Sequence, residues 1–217
     1  MKSDRAKLRR VGVLFLSAFF AYGLGTGMVA GVIEAANPVV ALTFNKAQFV
    51  TGATLMFLNS AIVTSIGLFL LPILARFNRA MAWFYLAARA LEAVALAFGV
   101  MGLLLLVIAD SPVTQAAIIT ARRNNFVAYQ TGMAVLGFGS LFFCAMLYRY
   151  RVVPRFLAVW GFVGYAVFLA GAVLEIAGRP YGLMLSIPGG LFELAFGIWL
   201  IAKGFDNTGA AVLPALH

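Results

Sequence analysis

The chain has 217 residues, of which 64% are hydrophobic and only 11% are charged, and its formal net charge is +9. Soluble domains carry about 25% charged residues, so this composition disfavours a water-soluble globule, a disordered chain, a coiled coil and a secreted disulfide scaffold. Cys144 is the only cysteine, and His217, the only histidine, is the last residue. We therefore expect an integral membrane protein with no metal site and no cofactor.

Six segments are long and apolar enough to cross a bilayer core, which takes about 20 residues of helix. They cover approximately residues 11–33, 50–75, 80–108, 126–147, 154–177 and 181–202. Backbone groups in lipid must be satisfied within the segment, so uninterrupted apolar runs predict helices, whereas barrel strands would alternate apolar and polar residues. The chain is predicted to be all-α, with a basic N-terminal tail (residues 1–10), one six-helix membrane domain (11–203) and a short C-terminal tail (204–217).

The basic residues are distributed unequally between the two ends of the predicted helices. Four lie on one side, namely Lys46, Arg122, Arg123 and Arg179. Eleven lie on the other, namely Lys2, Arg5, Lys7, Arg9, Arg10, Arg76, Arg79, Arg149, Arg151, Arg155 and Lys203. Because cations accumulate on the cytoplasmic side, both termini are predicted to be cytoplasmic. The same asymmetry accounts for the net charge, so membrane lipids, and not nucleic acid, are the expected partners of these residues.

The first span contains three glycines at four-residue spacing, Gly23, Gly27 and Gly31. This spacing places them in one smooth ridge on the helix, and small residues let a second helix approach closely in lipid. The ridge therefore predicts tight helix packing. Its partner is either another span of the same chain, which is the simpler interpretation, or a second copy.

Three ionisable residues lie deep within predicted spans, where the topology does not require them. Arg89 and Glu92 are in the third span and Glu193 is in the sixth, and each glutamate lies about 12 residues, or about 18 Å, from one end of its helix. The i, i+3 spacing places Arg89 and Glu92 on one face, which Tyr85 extends by a turn. A charge at the bilayer centre costs about 2.5–3.5 kcal/mol on insertion scales, so such residues usually face protein or water.

The approach to Glu193 is unusual for a helix, because Pro188, Gly189 and Gly190 precede it. Proline removes a backbone hydrogen bond and glycine removes a side chain, so we expect the sixth helix to be kinked or thinned here. Broken helices beside buried charges recur at transporter binding sites. Asn59, in the second span, offers a polar group at comparable depth.

These residues predict a buried polar cluster of Arg89, Glu92 and Glu193, with Asn59 and Tyr85 as neighbours. One guanidinium cannot neutralise two carboxylates, so either one glutamate carries a proton or a cation or cationic ligand completes the site. The alternative is a network that only fixes the register of the helices. The cluster requires the third and sixth spans to be neighbours.

Several short motifs, taken together, are shared with one family. They are Arg89-Ala90-Leu91-Glu92-Ala93 after the turn that follows Leu71-Pro72, Val153-Pro154-Arg155 opening the fifth span, and Phe192-Glu193-Leu194 with Gly197 and Lys203-Gly204-Phe205 closing the sixth. The chain thereby resembles the bacterial six-helix membrane family known as domain of unknown function 4386. The resemblance covers nearly the whole chain and implies a multi-pass protein of the bacterial cytoplasmic (inner) membrane. It implies no substrate, reaction or functional residue.

Three classes of function follow from these features. The first, which we expect, is binding or transport of a small molecule, lipid, ion or proton through the Arg/Glu cluster. The second is a non-catalytic accessory or regulatory role through helix–helix contacts, with a second copy or another membrane protein as partner. The third, an intramembrane enzyme, is disfavoured because the sequence holds no HExxH motif and no Gly-x-Ser-x-Gly elbow.

Overall fold

The computed structural model of the chain describes residues 2–109 and 112–205 and contains seven helices over these ranges. They are α1 (Lys2–Ile33), α2 (Pro38–Phe44), α3 (Lys46–Leu74), α4 (Arg79–Ile108), α5 (Gln115–Arg149), α6 (Arg155–Ile176) and α7 (Gly182–Ala202). All except α2 are long and apolar enough to cross a membrane. The two ranges contain no strand, so the predicted all-α bundle of six such helices is confirmed.

The six long helices form a closed ring. Each packs against the next in the order α1, α3, α4, α5, α6 and α7, and α7 closes the ring by packing against α1. At the closure, Gly12 of α1 lies against the backbone of Gly197, and Arg9 Nε donates a hydrogen bond of 3.2 Å to the Ile201 carbonyl. The interior of the ring is therefore lined by one face of every long helix.

One end of the ring is rich in basic residues, and we call it the basic face. Its described cations include Arg5, Arg9, Arg76, Arg79, Arg149, Arg151, Arg155 and Lys203. At this face an ion pair of 2.8 Å between Asp4 and Arg76 connects the start of α1 to the turn after α3. The opposite face carries α2 and the starts of α5 and α7. That the basic face is cytoplasmic stays a prediction.

Two helices begin nine or more residues earlier than the apolar runs predict. The segment expected as an N-terminal tail is helical from Lys2, and α5 begins at Gln115, eleven residues before the predicted span. The Thr114 hydroxyl caps α5 by accepting a hydrogen bond of 3.2 Å from the Ala117 N–H. The added turns bury Ile118 at the opposite face. Residues 206–217 of the predicted C-terminal tail lie outside the described residues.

The glycine ridge of α1 does not pack within this chain. A Cβ atom at Gly23 or Gly27 would meet nothing within 4 Å, and one at Gly31 would meet only the Gln48 amide. The close approach between α1 and α3 is made by Gly25 and Gly52 instead. The intramolecular interpretation of the ridge is therefore corrected: the four-residue spacing defines a stripe, but the larger buried side chains decide which face turns inward. Contact with a second copy stays a prediction.

Candidate functional site

The first polar element of the interior is an ion pair within α4. Arg89 Nη1 lies 3.0 Å from Glu92 Oε2, and the two side chains are only 3% and 2% exposed. The i, i+3 spacing places them together, as the sequence predicts. Arg89 Nε also donates a hydrogen bond of 3.4 Å to the Val63 carbonyl of α3. This contact is close because Gly67 of α3 has no side chain, and a Cβ there would lie 3.2 Å from Arg89 Cβ.

Polar side chains on the helices flanking α4 are buried without partners. Asn59 Oδ1 and Ser60 Oγ of α3, and Ser140 Oγ of α5, have no hydrogen-bond partner among the described residues. Asn59 and Ser60 lie within one turn of Val63, which contacts Arg89. Buried polar atoms in proteins are nearly always hydrogen-bonded, so each of these atoms has unused capacity to bind a polar group. Asn59, expected beside the cluster, makes no hydrogen bond to it.

The second polar element joins α6 to α7. The Tyr165 hydroxyl donates a hydrogen bond of 2.8 Å to Glu193 Oε1. Tyr165 is fully buried, whereas Glu193 is half-buried. Tyr165 was not among the residues predicted from the sequence. The glycines on either side of it, Gly161 and Gly164, could have indicated a buried tyrosine at a close helix contact.

The glycines around Glu193 bring α6 and α7 together. A Cβ at Gly164 of α6 would lie 3.1 Å from the Pro188 carbonyl and 3.2 Å from Gly189 Cα. α7 is assigned as one helix from Gly182 to Ala202, with Pro188 inside it. Of the two expected effects of Pro188, Gly189 and Gly190, the structure therefore shows a thinned helix, whose bare backbone lets Tyr165 reach Glu193.

Within the predicted cluster the direct polar contacts form two pairs, Arg89 with Glu92 and Glu193 with Tyr165. α4 and α7 are not neighbours in the ring, because α5 and α6 separate them on one side and α1 and α3 on the other. Arg89 and Glu193 are close enough for a Coulomb interaction across the interior, but the described ranges hold no ion pair between them. Glu193 takes its partner from the adjacent helix because a neighbouring backbone can approach more closely than one across the ring.

Aromatic rings fill the interior on both sides of the polar groups. Toward the basic face, Tyr85 stacks on Phe143 with ring centroids 4.5 Å apart, and Phe143 meets Phe196 at 5.6 Å. Toward the opposite face, Tyr22 of α1 stacks on Tyr129 of α5 with ring centroids 5.2 Å apart. This contact crosses the interior, because α1 and α5 are not adjacent in the ring. Tyr85, predicted as a neighbour of the charges, is thus part of the aromatic layer beside them.

A cavity of about 260 Å³ lies between α5, α6 and α7 at the opposite face. Its walls include Phe126, Tyr129, Gln130, Phe168, Glu175 and Ser186. Glu175 also accepts a hydrogen bond of 2.8 Å from the Gly182 N–H at the start of α7. Two wall residues adjoin the second polar element: the Phe168 ring contacts Tyr165 edge-on at 6.2 Å, and Tyr129 is close enough to Glu193 for a Coulomb interaction.

Comparison with known proteins places the chain in a family. The model of the family described as "Domain of unknown function (DUF4386)" matches residues 11–204. The chain belongs to this family. The match includes every residue of both polar pairs and of the cavity wall, so these features lie inside the matched region. No curated protein and no solved structure matches the chain.

Proposed function

We propose that this protein binds a small monovalent cation inside the ring, with Glu193 as its counter-charge and without a chemical step. The observation that carries the proposal is the charge balance of the interior. Arg89 is matched by Glu92 at 3.0 Å, whereas the partner of Glu193 is the neutral Tyr165 hydroxyl. An ionised carboxylate in an apolar interior is strongly unfavourable without a counter-charge. A bound cation supplies that charge.

The partial exposure of Glu193 supports this role. Its carboxylate is directed toward the interior, because it bonds to buried Tyr165 and interacts with Arg89 on the far side of the ring. We infer that its exposed surface faces interior space and not lipid. A cation can therefore contact the carboxylate directly.

The cavity beside α7 is the proposed entrance. Phe126, Tyr129 and Phe168 offer aromatic faces, which attract cations, and Gln130 and Ser186 offer polar acceptors. Its volume of about 260 Å³ is below the range of about 300–1,000 Å³ for drug-sized ligands. This size favours a small organic cation such as a compact amine or quaternary ammonium. Seven residues separate Ser186 from Glu193, which is about 10 Å along the helix.

The test is calorimetric titration of tetramethylammonium into the full chain in nanodiscs of phosphatidylethanolamine and phosphatidylglycerol. We expect binding to the wild type and a loss of about tenfold or more, or about 1.4 kcal/mol, in Glu193→Gln, because this variant removes the counter-charge of the cation. Glu34→Gln, which removes an exposed carboxylate from the same face as the cavity, is the matched control and keeps wild-type affinity. Equal affinity in wild type and Glu193→Gln would refute the proposal. Flux of the same probe into proteoliposomes then tests whether binding leads to transport.

A second candidate function, an accessory role through helix contacts, is favoured by the α1 ridge. Gly23 and Gly27 are exposed and face open space. The one native cysteine, Cys144, is buried, so Gly27→Cys supplies a specific cross-linking site. If the ridge meets a second copy, oxidation of this variant in membranes yields a disulfide-linked dimer, and the exposed-face control Val94→Cys does not. A monomeric Gly27→Cys sample after oxidation would exclude contact between copies at the ridge.

A further inference from the structure

The structure also points to what occupies Glu193 when no cation is bound. We propose that Glu193 then carries a proton, and that the protein releases this proton for each monovalent cation it takes up. This inference rests on the proposed function, because it concerns the same carboxylate. It adds that Glu193 exchanges a proton for the bound cation and does not carry a permanent negative charge.

Apart from Glu193, the charged side chains described in the interior compensate each other. Arg89 and Glu92 are sealed from solvent and form a salt bridge at 3.0 Å, so their charges compensate each other. Removing Arg89 from this pair to serve Glu193 would leave Glu92 unpaired in the same interior. A third, ionised side chain would bring the buried net charge to −1. A proton on Glu193 is the smallest change that keeps the interior neutral.

The groups that face Glu193 from the surrounding helices agree with this assignment. α1 packs against α7 through apolar Phe15, which contacts Phe196, and Phe19, which lies beside Gly190. The titratable or charged groups near Glu193 are Tyr165 from α6, Tyr85, Arg89 and Glu92 from α4, and Tyr129 and Cys144 from α5. Arg89 is the one cation of this set, and it is bound to Glu92. Apart from Arg89 and Glu92, the set consists of neutral hydroxyl and thiol groups.

The contact with Tyr165 serves both states of Glu193. When Glu193 is ionised, the Tyr165 hydroxyl donates to Oε1, as the distance of 2.8 Å allows. When Glu193 is protonated, the same hydroxyl can turn and accept from the carboxyl group, since a tyrosine hydroxyl is both a donor and an acceptor. The hydrogen bond therefore persists while the charge changes.

The exchange itself breaks one bond. The O–H bond of the Glu193 carboxyl breaks, its electron pair stays on the oxygen, and the proton leaves to water by way of the cavity proposed as the entrance. The incoming cation replaces the positive charge, so the interior has the same net charge before and after. No oxidant, reductant or further reactant takes part.

The exchange is tested by measuring how many protons are released when the cation binds. Tetramethylammonium is titrated into wild-type nanodiscs at one pH in two buffers of different ionisation enthalpy, and the difference in heat gives the protons released. We expect about one proton per bound cation, and an affinity that falls about tenfold for each pH unit below the point at which Glu193 is half-protonated. Binding without proton release overturns the exchange and leaves the proposed function standing. No binding in the wild type at any pH overturns both.

Infrared spectroscopy gives a second test that needs no ligand. Wild type is expected to show the carbonyl band of a protonated, buried carboxyl group at neutral pH, and the band should be absent in Glu193→Gln. In Tyr165→Phe the band should persist but shift, because the hydrogen bond is lost while the carboxyl remains. A band that is unchanged in Glu193→Gln belongs to another group and refutes the proposal.

Discussion

The two interior glutamates of this protein lie in the same ring but in different environments. Glu92 is sealed and lies 3.0 Å from a permanent cation on its own helix. Glu193 is half-buried and bonds to a neutral hydroxyl on the neighbouring helix at 2.8 Å. A carboxylate paired with a permanent cation forms a structural unit with it. Glu193 bonds to a neutral hydroxyl instead and has no such partner among the described residues.

The two environments arise from different parts of the sequence. The Arg89–Glu92 pair is local, since three residues of helix set its geometry. The Tyr165–Glu193 contact depends on two helices, and on the close approach of Gly164 to Gly189. The first pair therefore persists as long as α4 is helical, while the second responds to small movements of α6 against α7.

The largest effect is expected from breaking the sealed pair. Arg89→Ala leaves Glu92 buried without a counter-charge, which typically destabilises a protein by about 3–5 kcal/mol. The free energy of unfolding, measured by titrating a denaturing detergent into mixed micelles, should fall by this amount. Replacing both residues, as Arg89→Leu with Glu92→Leu, removes the charge imbalance and should recover much of the stability. An Arg89→Ala protein within about 1 kcal/mol of wild type would show that the pair is not the structural unit described above.

A smaller effect on stability is expected from separating α6 and α7, which carry Tyr165 and Glu193. In Gly164→Val the added side chain would press on the Pro188 carbonyl, 3.1 Å from the new Cβ, and overpacking of this kind costs about 1–3 kcal/mol. Because α6 and α7 must move apart, the variant should also bind tetramethylammonium less tightly. Gly23→Val is the matched control, since its Cβ meets nothing within 4 Å, and its stability should stay within about 0.5 kcal/mol of wild type. Equal losses in the two variants would contradict the close contact of α6 with α7.

Removing the neutral partner should have a modest effect on stability. Tyr165→Phe deletes the hydroxyl that bonds to Glu193 but keeps the ring, which contacts Phe192 at 5.6 Å. We expect a loss of about 0.5–1.5 kcal/mol in the free energy of unfolding, the usual contribution of one hydrogen bond. A loss as large as that of Arg89→Ala would mean that Tyr165 holds a charge and that the two glutamates are not different in kind.

The features that could be predicted from the sequence are those that depend on one helix at a time. Long apolar runs reveal the six spans, and spacing places Arg89 beside Glu92. The start of α5 was missed because Arg122 and Arg123 interrupt the apolar pattern, although Ile118 is buried in that segment. The partner of Glu193 was missed because it depends on which helices are adjacent in the ring. The predicted packing of the α1 glycine ridge within the chain was wrong for the same reason, because the spacing of residues does not tell which side of a helix faces its neighbours.

The smallest effect on stability is expected from breaking an Arg–Glu ion pair at the surface. Arg122 of α5 lies 2.7 Å from Glu34, a shorter distance than in the sealed pair, but the two side chains are 56% and 52% exposed. Water already solvates both charges, so Arg122→Ala should change the free energy of unfolding by about 0–1 kcal/mol. Arg123→Ala, which removes the adjacent exposed cation, should behave in the same way. If Arg122→Ala instead destabilised the protein as strongly as Arg89→Ala, distance and not burial would govern both pairs, and the uncompensated position of Glu193 would lose its physical basis.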